Sequence, residues 1–222
     1  MVTGSAADTG CGPTWARVRV AGSLWSVPRE RIFDEALRLT GAGLGALHWD
    51  VTDGDFARAG GFSPRVAAAV SARTGASAEA HLMVREPLEH VDAWAEFCDL
   101  VIVHAEAHDW RAAVESIAHR GSTPAVALSL GTDPHIIGSD DLAVLIMSVR
   151  PGEGGTAFDS RALSAVGGLR GRGLLGVDGG VTAARATDAI VAGATWIVSG
   201  NDLLAAHDAA AWIAVVSSAS QS

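Results

Sequence analysis

Short, almost continuous apolar runs alternate along this chain with longer stretches whose apolar residues fall three or four apart. The runs lie near Ala16–Ala21, Leu44–Val51, Ala78–Met83, Leu100–Val103, Ala125–Leu128, Ala143–Ser148, Leu174–Val177 and Trp196–Ser199. They read as strands, and their continuity suits a sheet covered on both faces. Arg31–Leu39, Pro64–Ala72, Trp110–His119 and Ala183–Ala192 carry the three-to-four spacing of an amphipathic helix. Gly41–Ala42–Gly43, Gly60–Gly61, Gly131–Thr132 and Pro151–Gly152 punctuate the joins. A strand-then-helix order predicts an α/β fold with a parallel sheet. Eight repeats favour closure into a single (β/α)8 TIM barrel, with an open doubly wound sheet as the alternative. Asp133–Asp140 leaves room for about two helical turns between the fifth and sixth strands. Asp202–Ser218 reads as one closing helix. No linker or second domain interrupts the pattern, so residues 15–222 are expected to form the barrel and residues 1–14 a disordered tail.

The length of 222 residues suits one such barrel, and 49% hydrophobic residues with a mean hydropathy of +0.26 supply its core. No apolar run reaches the ~18 residues of a membrane span. The start lacks the basic and apolar regions of a secretion signal, and two separated cysteines, Cys11 and Cys98, form no disulfide framework. A cytoplasmic location is therefore expected. The net charge of −9 argues against nucleic acid or an anionic membrane as partner, and means that an anionic substrate needs local donors. All 16 basic residues are arginine. The absence of lysine excludes Schiff-base chemistry and any mechanism with a lysine proton carrier. Seven tryptophans, among them Trp94, Trp110 and Trp212, suit core packing, while leaving a homo-oligomer interface open.

Four segments could carry chemistry, each at the C-terminal end of an expected strand, the end where barrel active sites sit. In Leu47-His48-Trp49-Asp50-Val51-Thr52-Asp53-Gly54, His48 and Asp50 are two apart and so share one side of a strand. They make half of a metal site, or else a satisfied polar pair. His81, in Ala80-His81-Leu82-Met83-Val84, is a third candidate ligand or a hydrogen-bonded core residue. Asp178 precedes Gly179 and Gly180, where backbone N–H groups could approach a phosphate, or where an ordinary turn would suffice. The glycine-rich segment from Met147 to Gly155 could cradle an anion together with Ser199-Gly200-Asn201. Two histidines and two aspartates from three strands could converge on one divalent metal. Such a centre would stabilise an enediolate beside a phosphate grip. Two carboxylates on opposite faces of a carbon would remove and return its proton.

With these segments in place the chain resembles the ribulose-phosphate 3-epimerase family, from about Val18 to Leu204. The resemblance is carried by Ala21-Gly22-Ser23-Leu24, the His48 to Gly54 segment, His81-Leu82-Met83-Val84, His104-Ala105-Glu106-Ala107, Leu145 to Gly155, Val177 to Val181 and Val198-Ser199-Gly200. It implies an isomerase that interconverts D-ribulose 5-phosphate and D-xylulose 5-phosphate. His48, Asp50, His81 and Asp178 would be metal ligands, with Asp50 and Asp178 also the acid/base pair. Ser23, His81, Met83 and Met147 would meet the substrate. Gly154, Gly155, Gly179, Gly180, Gly200 and Asn201 would hold its phosphate. The metal would be zinc, iron(II), manganese or cobalt.

The chain departs from the family pattern around this set. Thr52 stands where methionine is usual, Glu153 where an aromatic residue is, Leu130 for a proline and Asn201 for a serine. Arg150 could offset Glu153. Asp55-Phe56-Ala57-Arg58-Ala59-Gly60 replaces a loop that helps to close the site, and the fifth helix is shortened. Three functions fit: a pentose-phosphate epimerase, an epimerase of another ketose phosphate such as a hexulose 6-phosphate, or a weakly catalytic sugar-phosphate-binding relative. Four convergent polar groups would cost stability if left idle, which weighs against the last.

Overall fold

A computed structural model of the protein describes residues 18–219. Within them eight parallel strands run β1 (Arg19–Ser23), β2 (Ala46–Thr52), β3 (Ser77–Met83), β4 (Leu100–His104), β5 (Thr123–Leu128), β6 (Ala143–Met147), β7 (Leu175–Asp178) and β8 (Trp196–Ser199). Each pairs with its neighbours in sequence, and β1 pairs with β2 at Ala21↔Ala46 and with β8 at Arg19↔Trp196. The sheet is therefore a closed barrel, and the open doubly wound alternative falls. A two-residue antiparallel segment, Gly60–Gly61, folds back onto the end of β2.

The α-helices of the described residues are α1 (Ile32–Gly41), α2 (Pro64–Thr74), α3 (Leu88–Ala95), α4 (Trp110–His119), α5 (Arg161–Gly168), α6 (Ala183–Ala192), α7 (Asn201–Ala205) and α8 (Ala209–Ser218). One expectation is met and one is corrected. The connection from β5 to β6, where a shortened fifth helix is expected, holds a single 3-10 turn, Pro134–Ile136. The expected closing helix is two helices, because Ala206 turns to extended backbone and Asp208 caps α8 by accepting from the Ala211 N–H. The expected tail, residues 1–14, and Cys11 lie outside the described residues. No described helix is long and apolar enough to cross a membrane.

Alternation along the strands positions the site. On β2, Leu47, Trp49 and Val51 face the helices and belong to the outer core, while Ala46, His48, Asp50 and Thr52 take the opposite side. The lower barrel interior is apolar, with Ala21, Ala46, Leu100, Ile102, Ala125, Leu145 and Trp196. Gly176 makes room for Trp196: a Cβ there would lie 2.5 Å from the indole. Trp94, Trp110 and Trp212 are all buried, which is the core use expected of them.

Candidate metal and sugar-phosphate site

Register carries the inward polar residues to one level. Asp50 on β2 pairs with His81 on β3, and His48 with Glu79 one layer below. Asp178 ends β7, opposite Met147 of β6. His48 Nε2 lies 3.4 Å from Asp50 Oδ1, 3.4 Å from His81 Nδ1 and 3.8 Å from Asp178 Oδ2. His81 Nδ1 is 3.5 Å from both Asp50 Oδ1 and Asp178 Oδ2. All four ligand atoms fall within 4.8 Å of one another. Ligands bonded at 2.0–2.1 Å to a tetrahedral centre stand about 3.3–3.4 Å apart, close to these separations. Two imidazole nitrogens and two carboxylate oxygens suit a borderline divalent cation. These four residues could hold such a metal.

The electrostatics agree. Burial acts to lower the His48 pKa, but Asp50 and Glu79 outweigh it and hold it well above the usual value. His81 is raised in the same way against burial, by Asp178 and Asp50. Burial would raise Asp50, yet His48 and His81 keep its carboxyl well below the usual carboxylate range. The two histidines and Asp50 thus each favour their charged form against burial, because opposite charges face one another in this cluster.

Each histidine is held from behind. His48 Nδ1 lies 2.7 Å from Glu79 Oε1, so its N–H points there and Nε2 faces the other ligands. Glu79 is fully buried and also accepts from Trp196 Nε1–H at 3.2 Å and Arg19 Nε–H at 3.0 Å. His81 Nε2 lies 2.9 Å from His104 Nε2, and His104 Nδ1 3.1 Å from Glu106 Oε2. Burial pushes His104 down to about 4, so it is neutral. Burial acts to raise Glu106, but hydrogen bonds from His104 and Thr132 hold it at about 2, so it is an acceptor. His104 therefore donates from Nδ1 and accepts at Nε2. A His81 that donates Nε2–H to it leaves the Nδ1 lone pair free to ligate.

A cleft of about 420 Å³ opens above this cluster. Its walls include Ser23, Asp50, Met83, Met147, Gly154, Gly155, Asp178, Gly179, Gly180, Gly200 and Asn201, each expected at the site from the sequence. His48 and His81 lie fully buried beneath it. Ser23 Oγ–H donates to Asp50 Oδ2 at 2.7 Å, and the Gly179 N–H donates to Asp178 Oδ1 at 2.7 Å. Gly180 is where the loops after β6 and β7 meet. A Cβ there would lie 2.5 Å from the Thr156 carbonyl, and its φ of +58° already favours glycine.

Glu79, Trp196 and Trp25 carry no functional motif in the sequence pattern, and His104 and Glu106 enter there only as part of the family resemblance. The available signal was spacing: Glu79 is two before His81 on one strand, and so inward with it.

The departures resolve individually. Glu153 and Arg150 are exposed and border no part of the cleft. Glu153→Gln is accordingly expected to leave KM for a phosphorylated ketose within about twofold of the parent in steady-state assays. The replaced loop is anchored by Asp53, whose carboxylate accepts from the Asp55, Phe56 and Arg85 N–H groups, and Phe56 leans over the His104 ring at 4.8 Å. The Thr52 hydroxyl is buried with no hydrogen-bond partner among the described residues. Thr52→Val, nearly isosteric, is expected to stabilise by about 1 kcal/mol by removing that unsatisfied group. Thermal unfolding should show a rise of about 2–4 °C; a fall of that size would mean the hydroxyl is paired.

Comparison with known proteins agrees with the geometry. Residues 19–204 match the model of the ribulose-phosphate 3 epimerase family. The ribulose-phosphate 3-epimerase of Bacillus subtilis (strain 168) is 31% identical over 205 residues, covering 86% of this chain and 94% of that protein. The Rhodospirillum rubrum ribulose-phosphate 3-epimerase is 37% identical over 184 residues, covering 76% and 80%. The 3-hexulose-6-phosphate synthase structure from Salmonella typhimurium superposes with a TM-score of 0.65 over 90% of this chain and 96% of its own, at 14% identity, a likeness of fold.

Proposed function

Because the chain belongs to the ribulose-phosphate 3-epimerase family and is an epimerase, we propose that it interconverts D-ribulose 5-phosphate and D-xylulose 5-phosphate, with Asp50 and Asp178 as its two acid/base groups. The observation that carries this reading is that both carboxylates border one cleft from separate strands, β2 and β7, over a buried histidine pair. A substrate carbon between them meets one carboxylate on each face. The ionised carboxylate on one face takes the C3 proton, leaving an enediolate. The carboxylic acid on the other face returns a proton and inverts C3, and the reverse reaction exchanges the two roles. His48, Asp50, His81 and Asp178 would hold the metal, which supplies positive charge to offset the developing oxyanion. Ser23 orients Asp50 through its hydrogen bond and meets the substrate. Met83 and Met147 wall the reacting carbon with apolar, polarisable groups that keep water away. Backbone groups at Gly154, Gly155, Gly179, Gly180, Gly200 and Asn201 receive the phosphate.

The test is turnover of D-ribulose 5-phosphate with and without a chelator. Turnover that the chelator abolishes and added divalent metal restores is the expected result. Metal-loaded protein that leaves this substrate unchanged would overturn the substrate assignment.

A further inference from the structure

We propose that the Trp25 indole is part of the phosphate grip, donating from Nε1–H to the substrate's phosphate and forming the outer wall of its pocket. The inference rests on the sugar-phosphate reading above and adds a group that reading does not include. Trp25 lies two residues past the end of β1, is half-buried and lines the cleft with Gly154, Gly155, Gly180 and Gly200. Its backbone N–H donates to Ser23 Oγ at 3.3 Å, the same hydroxyl that donates to Asp50, so the ring is tied to the catalytic end of the cleft.

Two glycines define where the ring lies. A Cβ on Gly154 would sit 2.5 Å from Trp25 Cδ1 and 2.7 Å from Nε1, so the pyrrole edge rests on the backbone of the β6 loop. A Cβ on Gly60 would sit 2.9 Å from Cη2, so the far edge rests on the strand segment that closes the replaced loop. The indole therefore spans the gap between these two segments. Its Nε1 lies against the glycine loop that is to hold the anion, and has no hydrogen-bond partner among the described residues.

Charge makes that donor matter. Among the described residues no arginine or histidine lines the cleft, whereas Asp50, Asp178 and Asp202 do, and the chain carries −9 overall. A phosphate here must be held by neutral N–H and O–H groups. The indole N–H donates and cannot accept, and a hydrogen bond to an ionised acceptor is stronger than a neutral one.

The test compares metal-loaded wild type with Trp25→Phe, which keeps the wall and removes the donor. Trp25→Phe is expected to raise KM for D-ribulose 5-phosphate about tenfold, with kcat within about twofold. It should weaken inorganic phosphate, measured as a competitive inhibitor and by titration calorimetry, by a similar factor. Unchanged KM and phosphate affinity, or a fall in kcat alone, would overturn the proposal. The calorimetric arm is independent of turnover. Wild type that binds phosphate tenfold better than Trp25→Phe, yet converts no D-ribulose 5-phosphate, would sink the substrate assignment and support the indole donor. Gly154→Ala provides a second route, since its methyl must displace the ring. Weaker phosphate binding that largely disappears as an effect in a Trp25→Leu background supports the contact, and equal loss in both backgrounds overturns it.

Discussion

Asp50→Asn and Asp178→Asn are each expected to lower kcat for epimerisation by at least about 10³-fold, the scale of losing an acid/base group at the reacting carbon. Both substitutions keep shape. In Asp50→Asn the new amide oxygen can still accept the Ser23 hydroxyl, and in Asp178→Asn it can still accept the Gly179 N–H, so these local contacts are kept while the carboxylate charge facing His48 and His81 is lost. On the proposed mechanism, what is lost is a group that can hold the C3 proton. The two variants should differ in one diagnostic respect. With one carboxylate intact, the epimer whose C3–H faces it can still exchange that hydrogen with solvent, although it cannot be inverted. Asp50→Asn should therefore retain solvent exchange in one epimer, and Asp178→Asn in the other. Mass spectrometry of each sugar phosphate incubated in D2O reads this directly. Because both aspartates also face His48 and His81, metal content must be measured alongside. Loss of activity with metal retained supports proton transfer as the cause. Near-parental turnover in either variant would sink the two-carboxylate mechanism.

Most of this centre was legible in the sequence because it depends on local geometry. His48 and Asp50 are two apart on a strand, and that spacing alone puts both on one side of it. Asp178 before two glycines marked the end of a strand and the start of a loop that must approach another loop closely. The eight strands were legible because apolar runs between helical patterns have few other uses. The supports behind the histidines were not legible, since they are made across the barrel. Trp196 reaches Glu79 from 117 positions away, and the His81–His104 contact requires β3 and β4 in a register that no local pattern encodes. Trp25 escaped for a similar reason: it follows a strand as an ordinary aromatic residue, and its place depends on Gly60 and Gly154 leaving it space from two other loops. The closing helix was misread because apolar content runs through Ala205-Ala206 while the break is made by a cap at Asp208.

Glu79→Ala is expected to be the most costly single change behind the site, and to separate stability from metal binding. Glu79 is fully buried, and its carboxylate gathers His48 Nδ1–H, Trp196 Nε1–H and the Arg19 guanidinium. Removing one partner of a buried ionic network costs about 3–5 kcal/mol, because the remaining groups stay desolvated without an acceptor. Arg19 is about 30% exposed and can turn to water, so the lower end, about 3 kcal/mol, applies here. That corresponds to a fall of about 6–12 °C in the unfolding midpoint. The second effect is on ligand geometry. Without Glu79, His48 can flip or change tautomer and present the wrong nitrogen to the centre. Metal affinity should fall by about 10–100-fold, as for other outer partners of ligating histidines. Glu79→Gln retains an acceptor oxygen for His48 and replaces the other oxygen by a donor facing Arg19. It should thus keep most of the metal affinity while losing much of the stability. If Glu79→Ala is destabilised but binds metal as tightly as the parent, then Glu79 serves packing alone, and the orientation of His48 must be fixed by Asp50 and His81.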